Sequence, residues 1–268
     1  MEKKFKLGVI GCGFMASAII NGAISSNVLA PNQIIVSDIN QSALDKFVGV
    51  GVNTTTDNVN LVNNSEFVLF AIKPQTLQSV LSQIKNCSCD KLVSIMAGVK
   101  KEKIKTVFSS AKVARCMPNT PCSLRSGAVG LDLTDFTDKE DVDFIDKLFN
   151  ALASVVHVGE EKLNAVTGIS GSSPAYFYLF LKGLIESGVE QGLDYNDAKL
   201  LAVNTMIGAG KMVLTNEDKS LDDLINAVCS KGGTTIEAIK VYSERGLSQI
   251  TNSAVDACVK RATELENL

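Results

Sequence analysis

The chain has 268 residues, 29 acidic against 26 basic for a formal charge of −3, and is 46% hydrophobic with 21% charged residues. That much apolar material excludes wholesale disorder, and the mild acidity removes any bulk electrostatic case for nucleic acid, whose phosphates need a basic face. No apolar run approaches the roughly 18 residues of a membrane span, and residues 1–6 run directly into a strand-like segment, which leaves no room for a signal peptide and makes a cytoplasmic protein the expectation.

In chain order, Lys6–Ile10, Gln33–Ser37, Phe67–Ile72, Leu92–Ile95 and Val113–Cys116 read as strands. Ala16–Ser25, Ser42–Phe47, Thr76–Ile84 and Lys101–Phe108 between them read as helices. Strand–helix alternation at this spacing predicts a parallel sheet of βαβ units, with a further strand within Leu148–Val158. Beyond about Glu160 the β signal fades. Pro174–Glu190, Tyr195–Leu214, Leu221–Cys229, Thr235–Ser243 and Ile250–Glu266 favour helix between Gly, Asn and Asp breakers. Ala198–Leu214 is apolar nearly all round, so it needs cover on most faces, and a partner subunit is the natural source. The expected class is α/β: residues 1–160 as a doubly wound sheet, then residues 161–268 as an all-helical domain that dimerises.

Seven cysteines lie at 12, 87, 89, 116, 122, 229 and 258, without the paired spacing of a zinc site. They read as small buried hydrophobes of a reducing compartment. The single histidine, His157, sits in a strand-like stretch and has no second histidine with which to hold a metal, so no metal is expected.

The strongest local signal follows the first strand. Gly11-Cys12-Gly13-Phe14-Met15-Ala16 matches G-x-G-x-x-(G/A) between strand and helix, the pattern of a Rossmann-type dinucleotide site. Gly11 permits the tight turn, Gly13 lets backbone approach a pyrophosphate, and Ala16 lets helix and sheet pack closely. The second strand ends at Ser37-Asp38, 22 positions after Ala16. An acid there accepts the ribose hydroxyls of NAD and repels the 2′-phosphate of NADP; capping of the next helix is the competing role. Ser37 and Asn40 are further candidates for bonding a phosphate. Ala71-Ile72-Lys73-Pro74 lies at a strand's carboxyl end, where Lys73 meets ligand charge or is an ordinary solvated lysine. Met96-Ala97-Gly98-Val99 offers small residues for close approach of a nicotinamide ring.

In the second half, Ser230-Lys231-Gly232-Gly233-Thr234-Thr235 precedes a helix. Thr234 and Glu237 have the spacing of a capping box. Gly232 and Gly233 expose backbone N–H groups that suit a carboxylate or phosphate, and the Thr235 hydroxyl is left uncommitted.

Taken together and in this order, these motifs give a chain that resembles the pyrroline-5-carboxylate reductases over essentially its whole length. Ser230–Thr235 looks like that family's signature loop, and Gly168-Ile169-Ser170-Gly171-Ser172-Ser173-Pro174-Ala175-Tyr176 like its other long motif. Ala71–Pro74, Met96–Val99 and Arg115-Cys116-Met117-Pro118-Asn119-Thr120-Pro121 are supporting matches. The sequence departs from the family at Lys231 (usually proline), Ser173 (usually glycine) and Asp38, where many relatives carry a neutral residue suited to NADP. The resemblance implies reduction of 1-pyrroline-5-carboxylate to L-proline with NAD(P)H, the last step of proline biosynthesis, by a homodimer or a larger ring. It implies a substrate site at Ser230, Gly232, Gly233, Thr234 and Thr235, with Thr235 as the catalytic residue. It places the cofactor on Gly11, Cys12, Gly13, Phe14, Met15, Ala16, Ser37, Asp38, Asn58, Ala71, Lys73, Pro74, Ala97 and Gly98, and Asp38 points to NADH. Two other readings stand beside it: a β-hydroxyacid dehydrogenase, in which Glu186 occupies the place of an asparagine one turn after Lys182, and a dinucleotide-binding protein without catalysis.

Overall fold

In a computed structural model, which describes residues 3–266, the chain divides into two compact units. The first holds the described residues through Pro174 together with those from Cys258 onward, and the second is Ala175–Ala257. Residues 161–174 and 258–266 thus pack with the sheet, although the sequence reading grouped them with the helices. No helix of the described residues is long and apolar enough to cross a membrane.

The first unit is built on an eight-stranded sheet, with strands in the order β3-β2-β1-β4-β5-β6-β7-β8. In chain order it comprises β1 (Phe5–Ile10), α1 (Phe14–Ser25), β2 (Ile34–Ser37), α2 (Gln41–Val48), β3 (Asn53–Thr55), α3 (Asn58–Asn64), β4 (Ser65–Phe70), α4 (Leu77–Ile84), β5 (Lys91–Ser94), α5 (Lys101–Lys105) and β6 (Lys112–Pro118), followed by β7 (Gly127–Asp132), α6 (Lys139–Asn150), β8 (Ala153–His157) and α7 (Leu163–Val166). The first six strands are mutually parallel, in the doubly wound order; β7 runs antiparallel to β6, and β8 pairs parallel to β7.

Burial on both faces explains why the central strands are apolar almost without a break. Leu7, Val9, Phe67 and Leu69 pack with Ile19 and Ile20 of α1, Leu44 of α2 and Phe149 of α6 on one face. Ile10, Val68 and Phe70 pack with Leu61 of α3, Leu81 and Ile84 of α4, and Ile104 of α5 on the other.

Five elements of this unit lie outside the sequence reading: β3, α3, β7, α6 and the single-turn α7. The residues of β3 and α3 are mostly polar; α3 exists because Asp57 caps it, its Oδ1 accepting from the Val59 and Asn60 N–H groups. Asp138 caps α6 in the same way. In β7, glycine is set by packing and not by strand propensity: a Cβ at Gly130 would lie 2.6 Å from Val166, and at Gly127 against Cys122. His157 Nε2 donates to Asp146 Oδ1 at 2.7 Å on the rim of the sheet.

The second unit is helical: most of α8 (Ser173–Glu190), α9 (Tyr195–Thr215), α10 (Leu221–Val228), α11 (Thr234–Glu244) and the first half of α12 (Leu247–Glu266). Ser220 and Asp223 form a reciprocal capping box at the start of α10. Ala198 is the one buried residue described in α9, while Leu200, Leu201, Ile207 and Leu214 are half or more exposed. The apolar girth of α9 is left uncovered by its own chain.

Candidate active site

The predicted site residues form two groups, one in each unit. The first group gathers at the carboxyl ends of the parallel strands, where open α/β sheets take their ligands. Gly11, which follows β1, has φ +101°, and a Cβ there would sit 2.6 Å from the Ala71 carbonyl oxygen at the end of β4. Only glycine lets β1 turn so close to its neighbour. The turn is fixed from β2, since Gly11 N–H donates to the Ser37 carbonyl (2.7 Å) and Cys12 N–H to Asp38 Oδ2 (2.8 Å). Asp38 Oδ1 accepts from Asn40 N–H at 2.9 Å.

Gly13 is the N-cap of α1, and no side chain caps that helix or puts a negative charge in its first turn. The N–H groups of Phe14, Met15 and Ala16 therefore have no side-chain cap at the positive end of the helix dipole, and Phe14 and Gly13 are exposed there. A Cβ at Gly13 would meet nothing within 4 Å. This is an open cradle for a phosphate above a helix N-terminus, and the residues present fit a dinucleotide. A cleft of about 480 Å³ borders it, lined by Cys12, Gly13, Phe14, Ser17, Asn21, Lys46 and Phe47. Lys46, from the last turn of α2, is the cation of that cleft, and the sequence reading did not single it out.

Several predicted residues turn out to serve the protein itself. Ser37 is buried and donates to Asn58 Oδ1 at 2.6 Å, so its hydroxyl is not offered to a phosphate. Asn58 in turn donates to Gln83 (2.8 Å), a partner invisible from local sequence. Asn40 caps α2, its side chain accepting from Ser42 N–H. Burial, and after it the charge of Asp38, push the Cys12 thiol up to about 12, so it is no nucleophile at neutral pH. Lys73 is exposed, and Pro74 opens a short turn whose Thr76 hydroxyl donates to the Lys73 carbonyl. Ala97 is exposed whereas Gly98 is buried at φ +68°. A Cβ at Gly98 would lie 2.8 Å from Leu265 Cβ, so the closeness that glycine allows there is used by α12.

The motif residues at the end of β6 link to the turn that precedes α8. Asn119 Nδ2 donates to the Ser170 carbonyl at 3.2 Å while its Oδ1 accepts from Ala128 N–H. Ser170 lies in a wide π-type turn, Thr167–Gly171.

The second group, in the other unit, is the loop before α11. Gly232 has φ +73°, and Gly233 is the N-cap, its N–H donating to the Ser230 carbonyl at 3.0 Å. Thr234 is already the first residue of the helix, which corrects the expected capping box. Glu237 instead pairs with Lys240 at 2.6 Å, because from the Gly233 cap it is the fourth residue, one position too far along the first turn to reach back. No side chain caps α11, so its first N–H groups are open beside an exposed Thr234 and a half-buried Thr235. That arrangement suits a carboxylate.

Because a Cβ at Gly13 meets open space, Gly13→Val is expected to leave Tm within about 2 °C. It should raise the dinucleotide's Kd at least about tenfold by covering N–H groups that bond a charged phosphate. Calorimetry and fluorescence titration of NADH check both halves.

Comparison with known proteins agrees with this geometry. Residues 160–265 match the family model for pyrroline-5-carboxylate reductase dimerisation, and residues 6–98 match that for NADP oxidoreductase, coenzyme F420-dependent. The pyrroline-5-carboxylate reductase of Haemophilus influenzae is 36% identical over 266 residues, covering 98% of both chains. A solved pyrroline-5-carboxylate reductase from Coxiella burnetii superposes with a TM-score of 0.90 at 34% identity, over 98% of this chain and 99% of that one. A Plasmodium falciparum pyrroline carboxylate reductase with NADP bound superposes at 0.88 with 26% identity, over 99% and 100%. With a full-length relative above 30% identity and the doubly wound sheet and glycine cradle in place, the chain belongs to the pyrroline-5-carboxylate reductase family.

Proposed function

We propose that this chain reduces the ring C=N bond of 1-pyrroline-5-carboxylate to give L-proline, with NAD(P)H as reductant, as the last step of proline biosynthesis in the cytoplasm. Full-length similarity to reductases of that name carries the reading. When bound, NAD(P)H supplies the hydride that reduces the imine carbon. What the protein has to do is bind, orient and exclude.

The N–H groups of Phe14, Met15 and Ala16 hold the pyrophosphate at the start of α1, while Gly11, Cys12 and Gly13 keep the backbone low enough to admit it. Ala71, Lys73, Pro74 and Ala97 complete the cofactor's surroundings, while Asn58 and Gly98 act behind them, Asn58 holding Ser37 and Gln83 and Gly98 packing under Leu265. In the helical unit, the N–H groups that follow Gly232 and Gly233 take the substrate carboxylate, with Ser230 and Thr234 beside them. The Thr235 hydroxyl accepts from or donates to the ring nitrogen and holds it in line. The nitrogen gains its proton from water or arrives protonated, since a hydroxyl is a poor acid at neutral pH.

Asp38 favours NADH. Its carboxylate is fixed by two backbone N–H groups yet retains lone pairs for a ribose diol, and its fixed charge opposes a 2′-phosphate. The uncovered α9 and the family's dimerisation segment at 160–265 support a homodimer, the base from which a ring would be built. The β-hydroxyacid dehydrogenase reading loses its lysine: Lys182 is exposed and lies 3.7 Å from Glu186, with no asparagine at that turn.

Four measurements test these assignments. Thr235→Ala should lower kcat about ten- to a thousandfold, with a smaller rise in imine KM, because the backbone amides still hold the carboxylate. Thr234→Ala, outside the cap, should change stability by no more than about 0.5 kcal/mol and leave turnover near wild type; a silent Thr235 with an essential Thr234 would reverse the assignment. Asp38→Asn should move the kcat/KM ratio toward NADPH by about tenfold, the effect of one opposed charge near a phosphate, whereas an unchanged ratio contradicts the ribose role. Light scattering should give twice the chain mass at micromolar concentration, and a folded, active monomer would refute the dimer.

A further inference from the structure

Arg115 on β6 is 1% exposed, among the largest fully buried side chains of the protein. A guanidinium buried there must be paired. Its Nη1 reaches Glu160 Oε1 at 2.9 Å and Glu266 Oε1, in the last turn of α12, at 3.3 Å, while Nη2 is buried without a partner. The same two carboxylates reach the loop that follows β5. Glu160 Oε1 accepts from Lys101 N–H at 2.8 Å, and Glu266 Oε2 lies 3.8 Å from Lys100 Nζ. Two residues before Lys100, Gly98 lies under Leu265, with room for no Cβ. The loop is therefore held at one end by Glu160 and pressed by the last turn of α12, while Ala97, its neighbour, remains exposed.

We propose that Glu266 and Leu265 are positioning residues: through Arg115, Lys100 and Gly98 they lock the Met96–Lys100 loop, and thereby set the surface at Ala97 against which the nicotinamide end of the cofactor rests. This rests on the placement of that end of the dinucleotide at Ala97. The adenosine and pyrophosphate rest elsewhere, on Gly11–Ala16 and Asp38, so the lock governs one half of the ligand and not the other. A site loosened by about an ångström loses much of its rate even when every reacting group is present.

Glu266→Ala leaves Arg115 its Glu160 partner, which protects the fold, and thermal unfolding verifies that. The variant should bind NADH about three- to tenfold more weakly and bind ADP-ribose, which lacks the nicotinamide, within about twofold of wild type; kcat should fall about tenfold or more. Ala97→Leu, on an exposed position, should weaken NADH and spare ADP-ribose in the same way. Unchanged NADH binding in Ala97→Leu overturns the placement and the proposal with it. Discrimination in Ala97→Leu with none in Glu266→Ala overturns the lock alone. Equal weakening of NADH and ADP-ribose in Glu266→Ala also overturns it, since that is the mark of general loosening.

Discussion

The architecture of the first unit turns on one steric constraint: the backbone at Gly11 passes so close to the Ala71 carbonyl that no side chain fits between them. Because β1 can turn there, α1 starts immediately after it, and its first N–H groups open at the carboxyl edge of the sheet. Because β2 lies beside β1, Ser37 and Asp38 bond the turn through the Gly11 and Cys12 N–H groups and fix its shape. Asp38 thereby braces the loop and, in the proposed reading, offers its charge to the cofactor's ribose. A carboxylate held by two backbone N–H groups is a preorganised acceptor, which is worth more than a mobile one because its orientation is already set.

The sequence shows this part of the molecule clearly because the requirement is local. A glycine at a positive φ, a small residue one turn into the helix and an acid at the next strand end are all read within 30 residues. Where the requirement is tertiary, the sequence is silent or misleading. Gly127 and Gly130 weaken a strand signal in β7 because Cys122 and Val166 crowd them from elsewhere in the chain. Ser37 resembles a ligand contact until Asn58 is seen to claim its hydroxyl. Gly98 has the look of an opening for the cofactor, yet Leu265, more than 160 residues away in sequence, occupies the near side. The Thr234–Glu237 spacing suggests a capping box, but the helix begins one residue earlier than that motif needs, at a Gly233 cap. That shift frees Thr234 from a structural task and leaves both threonines next to the open helix start.

The two candidate sites use the same device. In each, glycines precede a helix whose first turn has no side-chain cap, which presents unpaired N–H groups to an anion. Side chains cap α2, α3, α6, α9 and α10, through Asn40, Asp57, Asp138, Asp194 and Ser220, whereas α4, α5 and α7 also start without one. What sets α1 and α11 apart is the glycine at the N-cap, Gly13 and Gly233, which leaves the uncapped start unobstructed and suits a reaction whose cofactor carries phosphates and whose substrate carries a carboxylate.

The most direct test is to follow dinucleotide oxidation with 1-pyrroline-5-carboxylate while assaying proline, alongside dinucleotide reduction with a panel of 3-hydroxyacids. The account predicts one proline formed for each NADH consumed and no turnover of any hydroxyacid. Reduction of NAD by a hydroxyacid, or tight dinucleotide binding without turnover of the imine, would contradict it.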